Sequence, residues 1–182
     1  MTKILGTVLC LNLLSFNLAL AQVADSKDQP SAKTNLTDGQ IAQVMMTINS
    51  GEIDSAKMAV TRSKNEETKK FAQMMLAEHE KNRSQTRELA ALNKTPPTTS
   101  PLSKSLTKDA KSSNDSLKKE SKDFDMAYVD QQIKMHGNAL RTFDEKLLPN
   151  AVSSPLRNHL EKTRDAVAAH LDHAKTLKTK LE

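Results

Sequence analysis

The chain has 182 residues, a formal net charge of +5 and a single cysteine, Cys10. This length is enough for one domain with its own hydrophobic core. One tyrosine, four phenylalanines and no tryptophan leave few aromatic platforms for stacking bases, so the composition argues against a nucleic-acid-binding protein.

The first residues are typical of a cleavable export signal. Lys3 gives a short basic start, residues 4–20 are mostly apolar, and Ala19 and Ala21 place small residues where a signal peptidase reads the chain. We therefore predict a signal peptide over residues 1–21, cleaved after Ala21, and a periplasmic or secreted protein. Polar residues interrupt the apolar run, so we expect no membrane span after cleavage. The cysteine is removed with the leader.

The chain changes character after the leader. Residues 22–35 are polar, contain Pro30 and show no periodicity, which predicts a flexible tether. Residues 36–182 are built from Ala, Leu, Met, Lys, Glu and Gln at helical spacing, with no alternating β-branched segment. We predict that they form one all-α domain.

Two apolar stripes on either side of the polar stretch 63–68 predict a first antiparallel helical hairpin. Thr37 is a good N-cap for its first helix. The inward line of that helix runs through Ile41, Met45, Ile48, Glu52, Ser55 and Ala59. The line of the second helix runs through Phe71, Met75, His79, Asn82, Thr86 and Leu89.

A proline-rich break over residues 93–101 opens a long crossover. The crossover contains a short amphipathic helix with apolar positions Leu102, Leu106, Ala110 and Leu117. The third long helix is predicted from about Asp123 to Leu148, with a stripe of Val129, Ile133, His136, Leu140, Phe143 and Leu147. After a turn that ends at Pro155, the fourth carries Leu156, Leu160, Thr163, Val167, His170, Ala174 and Leu177.

These elements predict a fold class. Two antiparallel helical hairpins joined by a long crossover form a bundle topology that ferritin-like proteins share. We therefore predict an all-α, ferritin-like four-helix bundle with a short extra helix in the crossover.

Each of the four long helices places one ionisable residue on its apolar line: Glu52, His79, His136 and His170. Glu52 and His79 are equally far from the first predicted turn, and His136 and His170 from the second. Because the helices of a hairpin are antiparallel, the members of each pair are expected to face each other. The crossover decides whether the two pairs share one level, and the sequence does not fix it.

Burying one unpaired ionisable group costs roughly several kcal/mol, so these four are expected to satisfy each other or to share a partner. Three imidazoles and one carboxylate suit one ion of zinc, copper, nickel or iron. Asn49 and Gln132 are placed to orient such ligands. The alternative is a hydrogen-bonded polar layer without metal, completed by Asn49, Asn82 and Gln132, and both interpretations stay open.

Several segments resemble the family called domain of unknown function 4142: FAQMMLAEH at 71–79, FDMAYVDQQIKMHGNAL at 124–140 and HLDHAKTL at 170–177. The likeness covers roughly residues 36–181. The family comprises exported bacterial proteins with a ferritin-like helical bundle, often labelled outer membrane proteins. The resemblance implies that fold and compartment, and no settled activity. The family's histidine motifs fall on His79, His136 and His170, and its Asn-x-x-Glu pattern falls on Asn49 and Glu52.

A dinuclear iron centre is not expected, because the residues three positions before the inward histidines are Leu76, Ile133 and Val167, none of them acidic. No Gly-x-Ser-x-Gly elbow or glycine-rich phosphate loop occurs.

We therefore predict a non-enzymatic cell-envelope protein in which Glu52, His79, His136 and His170 bind one transition-metal ion. The alternative is an envelope stress or protein-interaction module with a purely structural polar layer, and a redox enzyme is a third hypothesis. The sequence names neither an envelope partner nor an oligomeric state.

Overall fold

The computed structural model describes residues 35–182, which contain five α-helices and no β-strand. The helices are α1 (Asp38–Arg62), α2 (Glu66–Leu92), α3 (Pro101–Lys119), α4 (Phe124–Thr142) and α5 (Ser154–Leu181). A π-helical turn, Phe143–Leu147, and a 3-10 turn, Leu148–Asn150, continue the chain after α4. The predicted all-α class is confirmed for this part of the chain. The predicted signal peptide and all but the last residue of the predicted tether lie outside the described residues.

Each of the five helices begins at a residue whose side chain accepts a hydrogen bond from a backbone N–H of the first turn. These caps are Thr37, Asn65, Ser100, Asp123 and Ser153. They satisfy donors that a helix start otherwise leaves free. At Thr37 the side chain of Gln40 also returns to the backbone N–H of the cap, which confirms the predicted start of α1. The helix starts are therefore set by local sequence.

The helices pack as two hairpins, α1 with α2 and α4 with α5. The hairpins meet where α2 contacts α5 and where α1 contacts α4. The crossover helix α3 lies mainly on α1 and also touches α4. Leu117 of α3 is buried, and Leu102 and Leu106 pack against the core. The apolar face predicted for the crossover helix therefore faces the bundle.

The close contact between α1 and α3 depends on Gly51. A Cβ atom at this position would lie 2.7 Å from the Cβ atom of Ala110. The side-chain amide of Asn114 donates a hydrogen bond of 3.0 Å to the carbonyl oxygen of Gly51. Glycine therefore lets the two helix backbones approach each other.

Replacing Gly51 with alanine should destabilise the protein by about 1–3 kcal/mol, because the added methyl group pushes α3 away from α1. Urea unfolding measures the change. The matched control is Gly137→Ala in α4, where an added Cβ meets nothing within 4 Å. That change should stabilise the helix by about 0.5–1 kcal/mol. Equal effects of the two substitutions would contradict the tight α1–α3 contact.

The core is divided into two apolar clusters. The first includes Ile41 and Met45 at the start of α1, together with Phe143, Leu147 and Leu160. The second includes Phe71, Met75, Tyr128, Val129 and Leu177. On each long helix a buried ionisable side chain lies between the two clusters: Glu52 on α1, His79 on α2, His136 on α4 and His170 on α5. A polar layer therefore crosses the middle of the bundle and positions the candidate site.

Candidate metal centre

Three buried imidazole rings meet in the polar layer. His79 comes from α2, His136 from α4 and His170 from α5. They are 4%, 1% and 6% exposed, and the centroids of any two rings lie 5.4 to 5.7 Å apart. The two hairpins therefore bring their histidines to one level, which the spacing in the sequence could not decide.

Two of the rings use Nδ1 to reach a hydrogen-bond acceptor. Nδ1 of His79 lies 2.9 Å from Oδ1 of Asn49, whose own amide nitrogen donates to the carbonyl oxygen of Met45. Nδ1 of His136 lies 2.9 Å from the carbonyl oxygen of Gln132, one turn earlier in α4. A carbonyl oxygen can only accept, so in each ring the proton is on Nδ1 and the lone pair is on Nε2.

The third ring is held from the opposite edge. Nε2 of His170 lies 2.7 Å from a carboxylate oxygen of Glu78 in α2. A carboxylate oxygen accepts in this contact, which places the proton on Nε2 and the lone pair on Nδ1. The Glu78 side chain is about half exposed, whereas His170 is buried.

The remaining nitrogen of each ring is buried and has no hydrogen-bond partner among residues 35–182: Nε2 of His79, Nε2 of His136 and Nδ1 of His170. One nitrogen from each ring lies within 4.8 Å of one from each of the others. Three imidazole nitrogens on a tetrahedral zinc ion lie about 3.3 Å apart, so shifts of about 1 Å or less bring the rings to that spacing. The arrangement leaves three lone pairs unused in the core, where such groups are normally satisfied.

Burial keeps these imidazoles neutral. It is the main cause that lowers the pKa of His79 well below its usual value, and the neighbouring histidines add to the effect. Burial lowers the pKa of His136 to about 4, partly opposed by its hydrogen bond to Gln132. Burial also lowers the pKa of His170, partly opposed by Glu78. Metal ions bind only the neutral form of imidazole, and these three rings hold that form at neutral pH.

Glu52, the fourth predicted ligand, is buried beside the histidines. One carboxylate oxygen accepts a hydrogen bond of 3.0 Å from the amide of Gln132, and the other lies 3.6 Å from Nδ1 of His136. Burial raises the pKa of Glu52 to about 7, although the hydrogen bond from Gln132 lowers it. Between about pH 4 and pH 7 both Glu52 and His136 are neutral, so their contact is not an ion pair.

The three-histidine group therefore forms without Glu52. This carboxyl group contacts His136 at Nδ1, whereas the unpartnered nitrogen of that ring is Nε2. Direct metal binding by Glu52 stays a prediction.

Comparison with known proteins places the chain in a family. Residues 23–177 match the family described as a domain of unknown function (DUF4142). The chain belongs to this family. The resemblance carried by the histidine-bearing segments is thereby confirmed. No curated protein and no solved structure matches the chain. Among residues 35–182 of this DUF4142 protein, none of the helices has the length and apolar character needed to cross a membrane.

A hydrogen-bonded network ties the histidines of the DUF4142 domain to several helices. The amide of Asn49 donates to Asn82 at 2.8 Å, and that of Asn82 donates to Thr163 at 2.8 Å. The amide of Gln132 donates to both Glu52 and Ser55. Asn49, Asn82 and Gln132, which sequence reasoning placed near the ligands, all lie in this network. Through Asn49 and Gln132 it holds the rings of His79 and His136 in place.

Sequence reasoning missed Glu78. This residue immediately precedes His79 and therefore lies off the inward line of α2, about 100° around the helix. Its role depends on how α2 faces α5, which no pattern within α2 records. The sequence offered only a weak signal for this role: Glu78 stands next to the inward histidine His79, and a neighbouring helix carries another inward histidine, His170.

The other two histidines of the DUF4142 domain lie outside the group. Nε2 of His159 lies 3.0 Å from the hydroxyl of Thr86. His173 is exposed, and its ring packs edge-on against Phe71 at 4.9 Å between centroids. Neither was predicted as a ligand, and His173 therefore serves as a control position.

Proposed function

We propose that this DUF4142 protein is a non-enzymatic, exported cell-envelope protein that binds one transition-metal ion through His79, His136 and His170. One observation carries the proposal. Three neutral imidazoles in the core each have one nitrogen hydrogen-bonded to an acceptor and one buried nitrogen without a partner. A buried polar atom without a partner costs about 1–3 kcal/mol, and a shared metal ion removes this cost at all three nitrogens.

The donor set favours some metals over others. Imidazole nitrogens suit zinc, copper, nickel and iron, whereas calcium and magnesium prefer oxygen ligands. The group of three histidines provides ligands for one ion, and Glu52 is the only buried carboxylate beside them among residues 35–182. The proposed centre is therefore mononuclear. Asn49, Gln132 and Glu78 hold the ligand rings, and Glu52 lies beside Nδ1 of His136.

We further propose that the bundle is of the ferritin-like type. Two helical hairpins joined by a crossover helix support this, as does a polar site built from facing helices in the bundle core. The absence of a Glu-x-x-His pattern at the three histidines distinguishes it from the di-iron members of that class.

Export is proposed on the first 21 residues, with their basic start, apolar run and small residues at the cleavage site. Mass spectrometry of the protein purified from its native host tests it. A mature chain that begins at Gln22 is expected, and a cytoplasmic protein that retains Met1 to Ala21 would contradict the assignment.

The experiment that tests metal binding is elemental analysis of the purified protein, combined with thermal unfolding in the presence of Zn²⁺, Cu²⁺, Ni²⁺ or Fe²⁺. We expect one ion per chain. Metal at a hundredfold excess over Kd should raise Tm by roughly 5–10 °C, because a ligand of the folded state shifts the unfolding equilibrium. No bound metal and no shift with any of these ions would rule the proposal out.

A second candidate is an envelope stress or protein-interaction module in which the polar layer is only structural. The observation that favours it is the chain of hydrogen bonds from Asn49 through Asn82 to Thr163, which links α1, α2 and α5 without any metal. This candidate predicts a protein whose Tm does not respond to added metal and whose layer serves to fix the packing of the helices.

A further inference from the structure

A groove between α2 and α5 leads from the surface to the histidines. Its volume is about 570 Å³, and its walls include His79 and His170 as well as Asn82 and Thr163. The volume falls within the roughly 300–1,000 Å³ of typical small-molecule sites. The groove is therefore lined by two of the three proposed ligand rings.

Two lysines line this groove from opposite helices. Lys81 lies on α2 and Lys162 on α5, and both are exposed. Within the described part of the chain neither forms an ion pair, whereas other lysines, such as Lys57 and Lys178, do. Glu78 is the one acidic residue of the groove wall, and its carboxylate is held by His170. The groove therefore carries excess positive charge.

The chemistry of the centre adds to that charge. Imidazole ligands are neutral when they bind a metal ion, so three of them do not offset the charge of a bound divalent ion. Three protein ligands also leave at least one coordination position of a zinc-type ion open for a solvent molecule or an added ligand. A cationic ion with an open position, reached through a basic groove, favours an anionic ligand.

We propose that the α2–α5 groove binds a small carboxylate or oxyanion that completes the coordination of the metal, with Lys81 and Lys162 attracting its negative charge. This inference rests on the proposed metal centre and extends it from a closed structural site to a site for a second ligand. The ligand oxygen replaces metal-bound water, and no covalent bond within the ligand changes.

The test uses Co²⁺ as a coloured substitute for zinc in the mature protein, residues 22–182. Acetate is the probe, and acetamide is its neutral analogue of nearly equal size. Acetate should change the visible Co²⁺ bands in a saturable manner, and acetamide should not. The double variant Lys81→Gln/Lys162→Gln should weaken acetate binding roughly tenfold and leave the bands of the acetate-free protein unchanged, because exposed charges contribute modestly and lie outside the metal's ligands.

The matched control is Lys104→Gln/Lys108→Gln on α3, which removes the same charge from exposed positions outside the groove. It should leave acetate binding within about twofold of the unmodified protein, since charges outside the groove are screened by salt. Co²⁺ bands that do not respond to acetate would overturn the anion site while leaving the metal site intact. Equal weakening in both double variants would also overturn it. Failure of Co²⁺ to bind before acetate is added would instead contradict the metal centre itself, and the anion site with it.

Discussion

Replacing His136 with alanine should lower the affinity of the protein for Zn²⁺ by roughly a hundredfold or more. Loss of a residue that only supports a ligand costs 10–100-fold in affinity, and loss of one of three direct ligands costs at least as much. His136 is the central choice because it is 1% exposed and its ring contacts both other rings of the group. Competition with a chromophoric chelator measures the affinity.

The control for this variant is His173→Ala, which removes an exposed imidazole that contacts Phe71 outside the group. It should leave Zn²⁺ affinity within about twofold of the unmodified protein, as expected for a residue outside the metal's ligands and their supports. Because His136→Ala also opens space in the core, His136→Gln is the second variant, since it keeps most of the side-chain volume. Zn²⁺ affinity that is retained in both His136 variants while their helical content is unchanged would contradict the three-histidine site.

Replacing Glu52 with glutamine should stabilise the metal-free protein by about 3 kcal/mol at pH 8 and change its stability little at pH 5. The reason is that burial raises the pKa of this carboxyl group from 4.5 to about 7. The folded protein holds the proton more tightly than the unfolded chain does. The stabilisation that the protonated Glu52 side chain gives to the folded protein is therefore fully present below pH 4.5 and is lost as the pH rises through 7. Glutamine does not titrate, so it avoids the buried carboxylate.

The groups around Glu52 titrate in the opposite direction. Folding lowers the pKa values of His136 and His170, so these two groups reduce the stability of the folded protein as the pH falls below about 6.5. Tyr128, whose pKa is raised by burial and by Glu52, remains neutral throughout this range. His136, His170 and Tyr128 are present in the unmodified protein and in the Glu52→Gln variant, so the difference in stability between these two proteins isolates the effect of Glu52. Urea unfolding at pH 5 and pH 8 with a chelator gives that difference. A difference of equal size at both pH values would show that Glu52 is not forced to ionise in the core.

Helical periodicity predicted much of the site because the site lies on the inward stripes. His79, His136 and His170 were each identified as the ionisable member of an apolar line, and the structure brings all three rings together. His136 and His170 lie equally many residues from the turn between α4 and α5. Because the helices of a hairpin run antiparallel, that spacing predicted that the two histidines lie opposite each other. Local side-chain signals such as the cap at Thr37 likewise depend on near neighbours in sequence.

Features that depend on contacts between hairpins could not be predicted in this way. The common level of His79 with His136 and His170 is set by how α3 connects the hairpins. The bond between Glu78 and His170 depends on the rotation of α2 relative to α5. Which oxygen or nitrogen each ring contacts is a matter of side-chain torsion angles. For this reason Glu52 was predicted as a ligand on the same grounds as the histidines, although its contacts in the structure are with Gln132 and with Nδ1 of His136.

X-ray absorption spectroscopy of the zinc-loaded protein tests the metal centre most directly, because it counts the imidazole rings bound to the ion. The three-histidine site predicts three imidazole nitrogens at about 2.0–2.1 Å, together with at least one oxygen or nitrogen ligand that is not imidazole. A spectrum that fits zinc with only oxygen ligands, or with fewer than three imidazoles, would contradict it.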